Sequence, residues 1–210
     1  MFDNLILPNK LLPIFKPELH GIIRETRAIA MISRNRMQNL HRMIKALERD
    51  GIEGDIVETG VAKGGSGVFF GMLIGASPMP RELWLYDAFE LYGKEGAGVY
   101  DDVHTLIYET FGFGDNTVHL IKGFFQDTLG AHPSRPIALL HVDADNGEAI
   151  RCCVDALYQY VVGRGWVVFD NYGHAQEVAD EVNRWVSDLG LSDDLKRFGS
   201  TQAYLRKPAS

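Results

Sequence analysis

The chain has 210 residues, 46% of them hydrophobic and 23% charged, and a formal net charge of −7; that is enough for one α/β domain with a full core, and the acidity argues against nucleic acid as the main partner. No apolar run reaches the roughly 18 residues that cross a bilayer, and Met1-Phe2-Asp3-Asn4 lacks the basic n-region of a signal peptide, so neither membrane nor secretion is expected. The adjacent Cys152 and Cys153 make neither a C-x-x-C site nor a disulfide framework, which fits a reduced, cytoplasmic protein.

Residues 1–20 carry Pro8, Pro13 and Pro17 and read as an irregular arm, either flexible or in contact with a partner. The arm is rich in apolar residues, among them Leu5, Leu7, Leu11, Leu12, Ile14 and Phe15. Such a surface needs cover from its own domain or from a neighbour, which predicts a homodimer or higher homo-oligomer. Residues 21–50 read as a helical region. Ser33 is a plausible N-cap, and Met37, Leu40, Ile44 and Leu47 recur at helical spacing up to Asp50-Gly51.

A β/α alternation follows. Strands are expected at Asp55–Thr59, Leu83–Asp87, Val118–Gly123, Ile137–Asp143 and Trp166–Asp170, with a last edge strand at Thr201–Leu205. Helices are expected after the first strand to about Ile74, from about Glu148 to Val161 and from about Gln176 to Leu189. A Gly-rich stretch after Ala88 turns helical through Val103, Leu106, Ile107 and Phe111. Continuous apolar strands alternating with helices imply a mostly parallel sheet covered on both faces. With no repeat and no low-complexity linker, residues 1–210 read as one domain.

The first strand ends in Glu58-Thr59 and runs into Gly60-Val61-Ala62-Lys63-Gly64-Gly65-Ser66. The glycines allow a sharp turn and close approach to a ligand, and Ser66 is placed to cap the next helix. A dinucleotide site needs G-x-G-x-x-G and a P-loop needs Gly-Lys-Ser/Thr, and this turn has neither. A strand-to-helix turn with no ligand is the plain alternative. The turn resembles the S-adenosylmethionine (SAM) site of class I methyltransferases, which makes Glu58, Thr59, Gly60, Gly64 and Ser66 candidate cofactor residues.

Four strands end in an acid: Glu58, Asp87, Asp143 and Asp170. In a parallel sheet these ends share one edge, beyond which ligands bind. Asp87 lies where an acid grips ribose hydroxyls, a task suited to charge-assisted hydrogen bonds. Asp143, Asp170 and Asn171 offer only oxygen donors, a set that selects a hard cation such as Mg²⁺. Each acid also has a reading as a turn or helix cap. Asp145, three residues before Glu148, is the clearest of these. His141, inside the fourth strand, reads as a core residue, while His174 is close enough to the edge to touch substrate or act as a base.

Taken in order, these motifs resemble the macrocin O-methyltransferase family over most of residues 30–206. The resemblance rests on Met31-Ile32-Ser33-Arg34, Gly54 to Val61 with Gly64-Gly65-Ser66, Tyr86 to Glu90, Lys122 to Leu129, Val142-Asp143-Ala144-Asp145 and Asp170-Asn171-Tyr172-Gly173. It implies a Rossmann-like class I methyltransferase fold with an N-terminal helical region. It also implies SAM- and Mg²⁺-dependent methylation of a hydroxyl on a small acceptor, a sugar or glycosylated natural product. Asp127 joins the cofactor residues by the same resemblance. Asp143 is then a metal ligand and possible base, with Asp170 and Asn171 completing the metal site. The family has two successive aspartates before Tyr172-Gly173, and this chain has Asn171 at the second. Two other functions share features with this reading. A nicotinamide oxidoreductase has the same crevice, and a non-catalytic SAM-binding or scaffold protein accommodates Asn171.

Overall fold

In a computed structural model the described residues are 5–90 and 100–209. Expectations placed on residues 1–4 and on the Gly-rich stretch 91–99 lie outside them. The strands β1 (Asp55–Thr59), β2 (Leu83–Asp87), β3 (Val118–Lys122), β4 (Ile137–Val142), β5 (Val161–Phe169), β6 (Lys196–Phe198) and β7 (Gln202–Arg206) form one sheet. Their order is β3-β2-β1-β4-β5-β7-β6. The pairs among β1 to β5 are parallel, and β7 runs antiparallel to both β5 and β6.

The central strands are apolar throughout because both faces are covered. One face carries Ile56, Leu85, Leu139 and Val168 under α2 (Pro17–Thr26), α3 (Arg34–Arg49) and α4 (Gly65–Gly75). The other carries Val57, Leu140, Val167 and Phe169 under α7 (Gly147–Leu157) and α8 (Gln176–Asp188). The chain winds outward from β1 through β2 to β3, then places β4 on the opposite side of β1. The winding therefore reverses between β1 and β4, and a crevice opens beyond their carboxyl ends.

Several boundaries depart from the expectation. The last strand is not an edge strand: β7 lies between β5 and β6. The short β6 reads Lys-Arg-Phe, mostly exposed, and carries no apolar signal. β5 begins five residues early, at Val161, and passes through Gly163, Arg164 and Gly165, where the register on β4 shifts. Ala62 and Arg164 both take positive φ, 48° and 66°.

The proline-rich segment is also more regular than expected. It forms a short helix α1 (Leu12–Phe15) and α2, with a proline in the first turn of each. In those places the missing N–H would have no helical partner anyway. Leu7, Leu12 and Leu19 are buried, and Leu7 exchanges two hydrogen bonds with Gln38 of α3, at 2.8 and 3.0 Å. Ser33 caps α3 by accepting from the Arg36 N–H, and Met37, Leu40, Ile44 and Leu47 are buried.

Candidate active site

The glycine turn sits at the reversal point. Gly60 has φ of +96°, and a Cβ there would meet the Asp143 carbonyl oxygen at 2.4 Å. Only glycine lets the end of β1 lie this close to the end of β4. Gly64, with φ of +82°, occupies the N-cap of α4, and a Cβ on it would press on Val103. Ser66 is therefore not the cap: it lies inside the helix, buried, and makes no capping bond.

Asp87 ends β2 and reaches back across the turn. Its Oδ2 accepts from the Val61 and Ala62 N–H groups at 2.7 and 2.9 Å, and Oδ1 accepts from Phe89 N–H at 2.8 Å. The carboxylate expected to hold a ribose thus also holds the turn in shape. A carboxylate has about four lone-pair sites, so three backbone bonds leave room for one ligand hydroxyl. After α5 (Tyr100–His104) and β3, Asp127 lies on α6 (Phe125–Thr128), exposed beyond the carboxyl end of β3.

Glu58 and Thr59 do not reach the crevice. Both are fully buried, because strands flank β1 on either side and helices cover each face. Glu58 turns under α3, where its Oε1 lies 3.0 Å from Nδ1 of His141. Thr59 faces the α7 side, and its backbone oxygen accepts from Asp143 N–H at 2.8 Å.

The acids of β4 and β5 stand on the α3 side of the sheet in a buried polar row. His141 lies between Glu58 and Asp170, its Nε2 3.6 Å from Asp170 Oδ1. Asp170 Oδ1 accepts from Gln202 Nε2 at 2.6 Å, and its Oδ2 is ion-paired with Nη1 of Arg36. Gln202 in turn accepts from Asn39 of α3 at 2.6 Å. Burial alone would lower the pKa of His141, but Asp170 and Glu58 raise it to about 10. His141 is fully buried, as its reading as a core residue expects, and the flanking carboxylates favour its imidazolium form. Burial would raise Asp170, yet His141 and Arg36 hold it below the usual carboxylate range.

Asp143 differs from its neighbours. Its carboxylate makes no hydrogen bond or ion pair among the described residues, and the residue, just beyond the carboxyl end of β4, is half-buried. Burial, then the charge of Asp170, push its pKa up to about 8. A carboxylate with a pKa near neutrality is suited to take a proton from a substrate hydroxyl.

The proposed metal donors do not come together as a ligand set. Both oxygens of Asp170 are engaged, one by a guanidinium. Asn171 Nδ2 donates to Asp145 Oδ1 at 3.0 Å. Among the described residues no group of three or more His, Cys, Asp or Glu side chains could hold a metal ion. Asp145 does not cap α7 either; Asn146 does, accepting from Ala149 N–H at 2.9 Å. His174 is exposed in the turn after β5, its N–H bonded to the Asn171 carbonyl, and its ring makes no bond to Asp143 or Asp170.

The sequence reading missed Arg36, Asn39 and Gln202. Arg36 and Asn39 flank the Met37 and Leu40 stripe of a helix rich in charge, so they read as a solvated face. Gln202 sits in the expected edge strand Thr201–Leu205, where a polar residue reads as solvent-facing.

The sequence model of the macrocin-O-methyltransferase family matches residues 20–207. The 8-demethyl-8-(2,3-dimethoxy-alpha-L-rhamnosyl)-tetracenomycin-C 4'-O-methyltransferase of Streptomyces olivaceus is 27% identical over 94% of this chain and 83% of its own. The mycinamicin III 3''-O-methyltransferase of Micromonospora griseorubida is 26% identical over 88% and 80%. Among solved structures, the O-methyltransferase NovP superposes with a TM-score of 0.77 at 23% identity, covering 86% of this chain and 82% of NovP. CalS11, a TDP-rhamnose 3'-O-methyltransferase, superposes with a TM-score of 0.64 at 24% identity, covering 94% and 91%.

Proposed function

The chain belongs to the macrocin-O-methyltransferase family and is a SAM-dependent O-methyltransferase of class I fold, and from that premise we propose that it methylates a sugar hydroxyl of a glycosylated natural product, with Asp143 as general base. Bound SAM supplies an electrophilic methyl group on a sulfonium. The Gly60–Gly64 turn, Asp87 and Asp127 would hold that cofactor, since all three lie along the carboxyl edge of the parallel strands.

Transfer of the methyl group to the acceptor oxygen would leave a methyl ether and S-adenosylhomocysteine (SAH), and Asp143 would take the hydroxyl proton. The role suits Asp143 because, among the described residues, its carboxylate alone in the polar row is unpaired, and it follows directly on the carboxyl end of β4. Arrangement of oxygen and methyl in line is worth up to ~7–11 kcal/mol. The walls that achieve it would be the loops at this edge.

The observation that carries the reading is Asp143 itself: its backbone packs directly against the glycine turn at Gly60, and its carboxylate is unpaired among the described residues. The test is incubation with SAM and a panel of desmethyl glycosylated acceptors, read by mass spectrometry for one added methyl group. Calorimetry that finds a nicotinamide cofactor bound, and neither SAM nor SAH, would overturn it.

A further inference from the structure

Three acids, an arginine and a histidine meet at the carboxyl ends of β1, β4 and β5, and their arrangement bears on what neutralises the acceptor site. We infer that Arg36 is the resident cation of this site: its guanidinium takes the place beside Asp170 that a divalent metal would need, and the protein works without one. The chemistry at the acceptor oxygen rests on the methyl-transfer reading above; the claim about metal stands on geometry alone.

Arg36 is built into place. It lies in the first turn of α3, where its backbone N–H is taken by the Ser33 cap. Three residues on, Asn39 ties the same helix to Gln202 of β7. Its side chain is 15% exposed and the partner carboxylate of Asp170 is 0% exposed, so the ion pair is largely removed from solvent. A guanidinium has five N–H donors, so the one spent on Asp170 leaves others for an acceptor oxygen in the crevice.

The remaining donors are poorly disposed toward a metal. Asp170 faces Arg36 on one oxygen, and Gln202 and His141 on the other. A dication there would be pressed against a guanidinium. Asn171 brings no charge, and its amide is turned toward Asp145. Of the three proposed donors that leaves Asp143 as the one carboxylate unengaged among the described residues, and one carboxylate makes a weak Mg²⁺ site.

Arg36 is thus a positioning residue whose charge steadies Asp170 and the developing alkoxide together. The test uses the full chain saturated with SAH and titrated with Mn²⁺, with bound ion read by electron paramagnetic resonance. The expected result is no bound Mn²⁺ short of millimolar ion. A stoichiometric site that fills at micromolar Mn²⁺ overturns the inference. The double variant Arg36→Gln with Asn171→Asp is expected to gain at least tenfold in Mn²⁺ affinity, and no gain also overturns it. If circular dichroism shows that variant unfolded, Asn171→Asp alone decides: with Arg36 in place it should gain less than threefold, and a larger gain counts against the inference. SAH binding is measured first by calorimetry. Its absence would sink the methyl-transfer reading and leave the Mn²⁺ result standing for this one.

Discussion

Asp143 and Asp87 sit on either side of the glycine turn, and they do opposite things with their carboxylates. Asp143 is unpaired, so its loss should act on chemistry more than on structure. Asp143→Asn is expected to lower kcat by roughly a hundred- to ten-thousandfold, the usual worth of a general base, with SAH affinity nearly unchanged. Because burial and Asp170 put its pKa at about 8, the base form is scarce at lower pH. The wild-type rate should climb as pH rises through about 8 and level off above it, and the variant's residual rate should lack that rise. A flat wild-type profile would assign the proton to another group. Asp87, by contrast, spends three acceptor sites on the turn. Asp87→Ala should weaken SAH binding by about 1.5–3 kcal/mol, the cost of losing a charged hydrogen-bond partner. It should also lower the melting temperature, since the Val61, Ala62 and Phe89 N–H groups lose their acceptor. Unchanged SAH affinity in a folded variant would mean that another residue holds the ribose.

At the scale of elements, α3 is fastened to the sheet by buried polar groups as well as by its apolar stripe. Asn39 and Arg36 hold Gln202 and Asp170, and His141 bridges Glu58 and Asp170 beneath them. Removing His141 leaves two buried carboxylates without their shared cation, which should cost about 3–5 kcal/mol. The sign with pH follows from the raised pKa. A histidine lifted from 6.5 to about 10 contributes stability fully below pH 6.5, and that contribution is lost as pH rises to about 10. Asp143 adds a separate decline at lower pH: its raised pKa favours unfolding progressively from 3.8 to about 8. Chemical denaturation across that range should show stability still falling above pH 8 in the wild type, and His141→Gln should lose that upper portion. A wild-type curve flat above pH 8 would mean His141 is neutral. The apolar strands and the helices between them were legible in sequence because burial on both faces leaves continuous hydrophobic runs. β6 was not, because three mostly exposed residues at a sheet edge need no apolar pattern. The start of β5 was hidden by Gly163, Arg164 and Gly165, which read as a turn but continue the strand through an irregular register.

Over the whole molecule, the edge that gathers the site was readable from four acids ending four strands, but how those acids are partnered was not. Partnership here depends on residues more than a hundred positions apart, such as Arg36 with Asp170 and Asn39 with Gln202, and spacing carries no trace of it. The N-terminal segment shows the same limit from the other side. Its prolines suggested irregularity, yet Leu7, Leu12 and Leu19 bury themselves against α3 and its neighbours. What they leave outside is unusual: Leu5 is 49% exposed, Leu11 40%, Ile14 67% and Met31 65%. Single exposed apolar residues are ordinary, but these four and Phe15, 44% exposed, make five among the described residues up to position 31, more apolar surface than water favours. A second copy of the chain offers the same surface, and a two-fold contact would bury both at once. The expected state is therefore a homodimer. Light scattering should give twice the chain mass at micromolar concentration, and Ile14→Asp should shift it to the monomer without changing SAH affinity, since Ile14 is far from the glycine turn in sequence and lies outside the polar row. A monomer at every concentration for the wild type would show that this surface stays open to solvent.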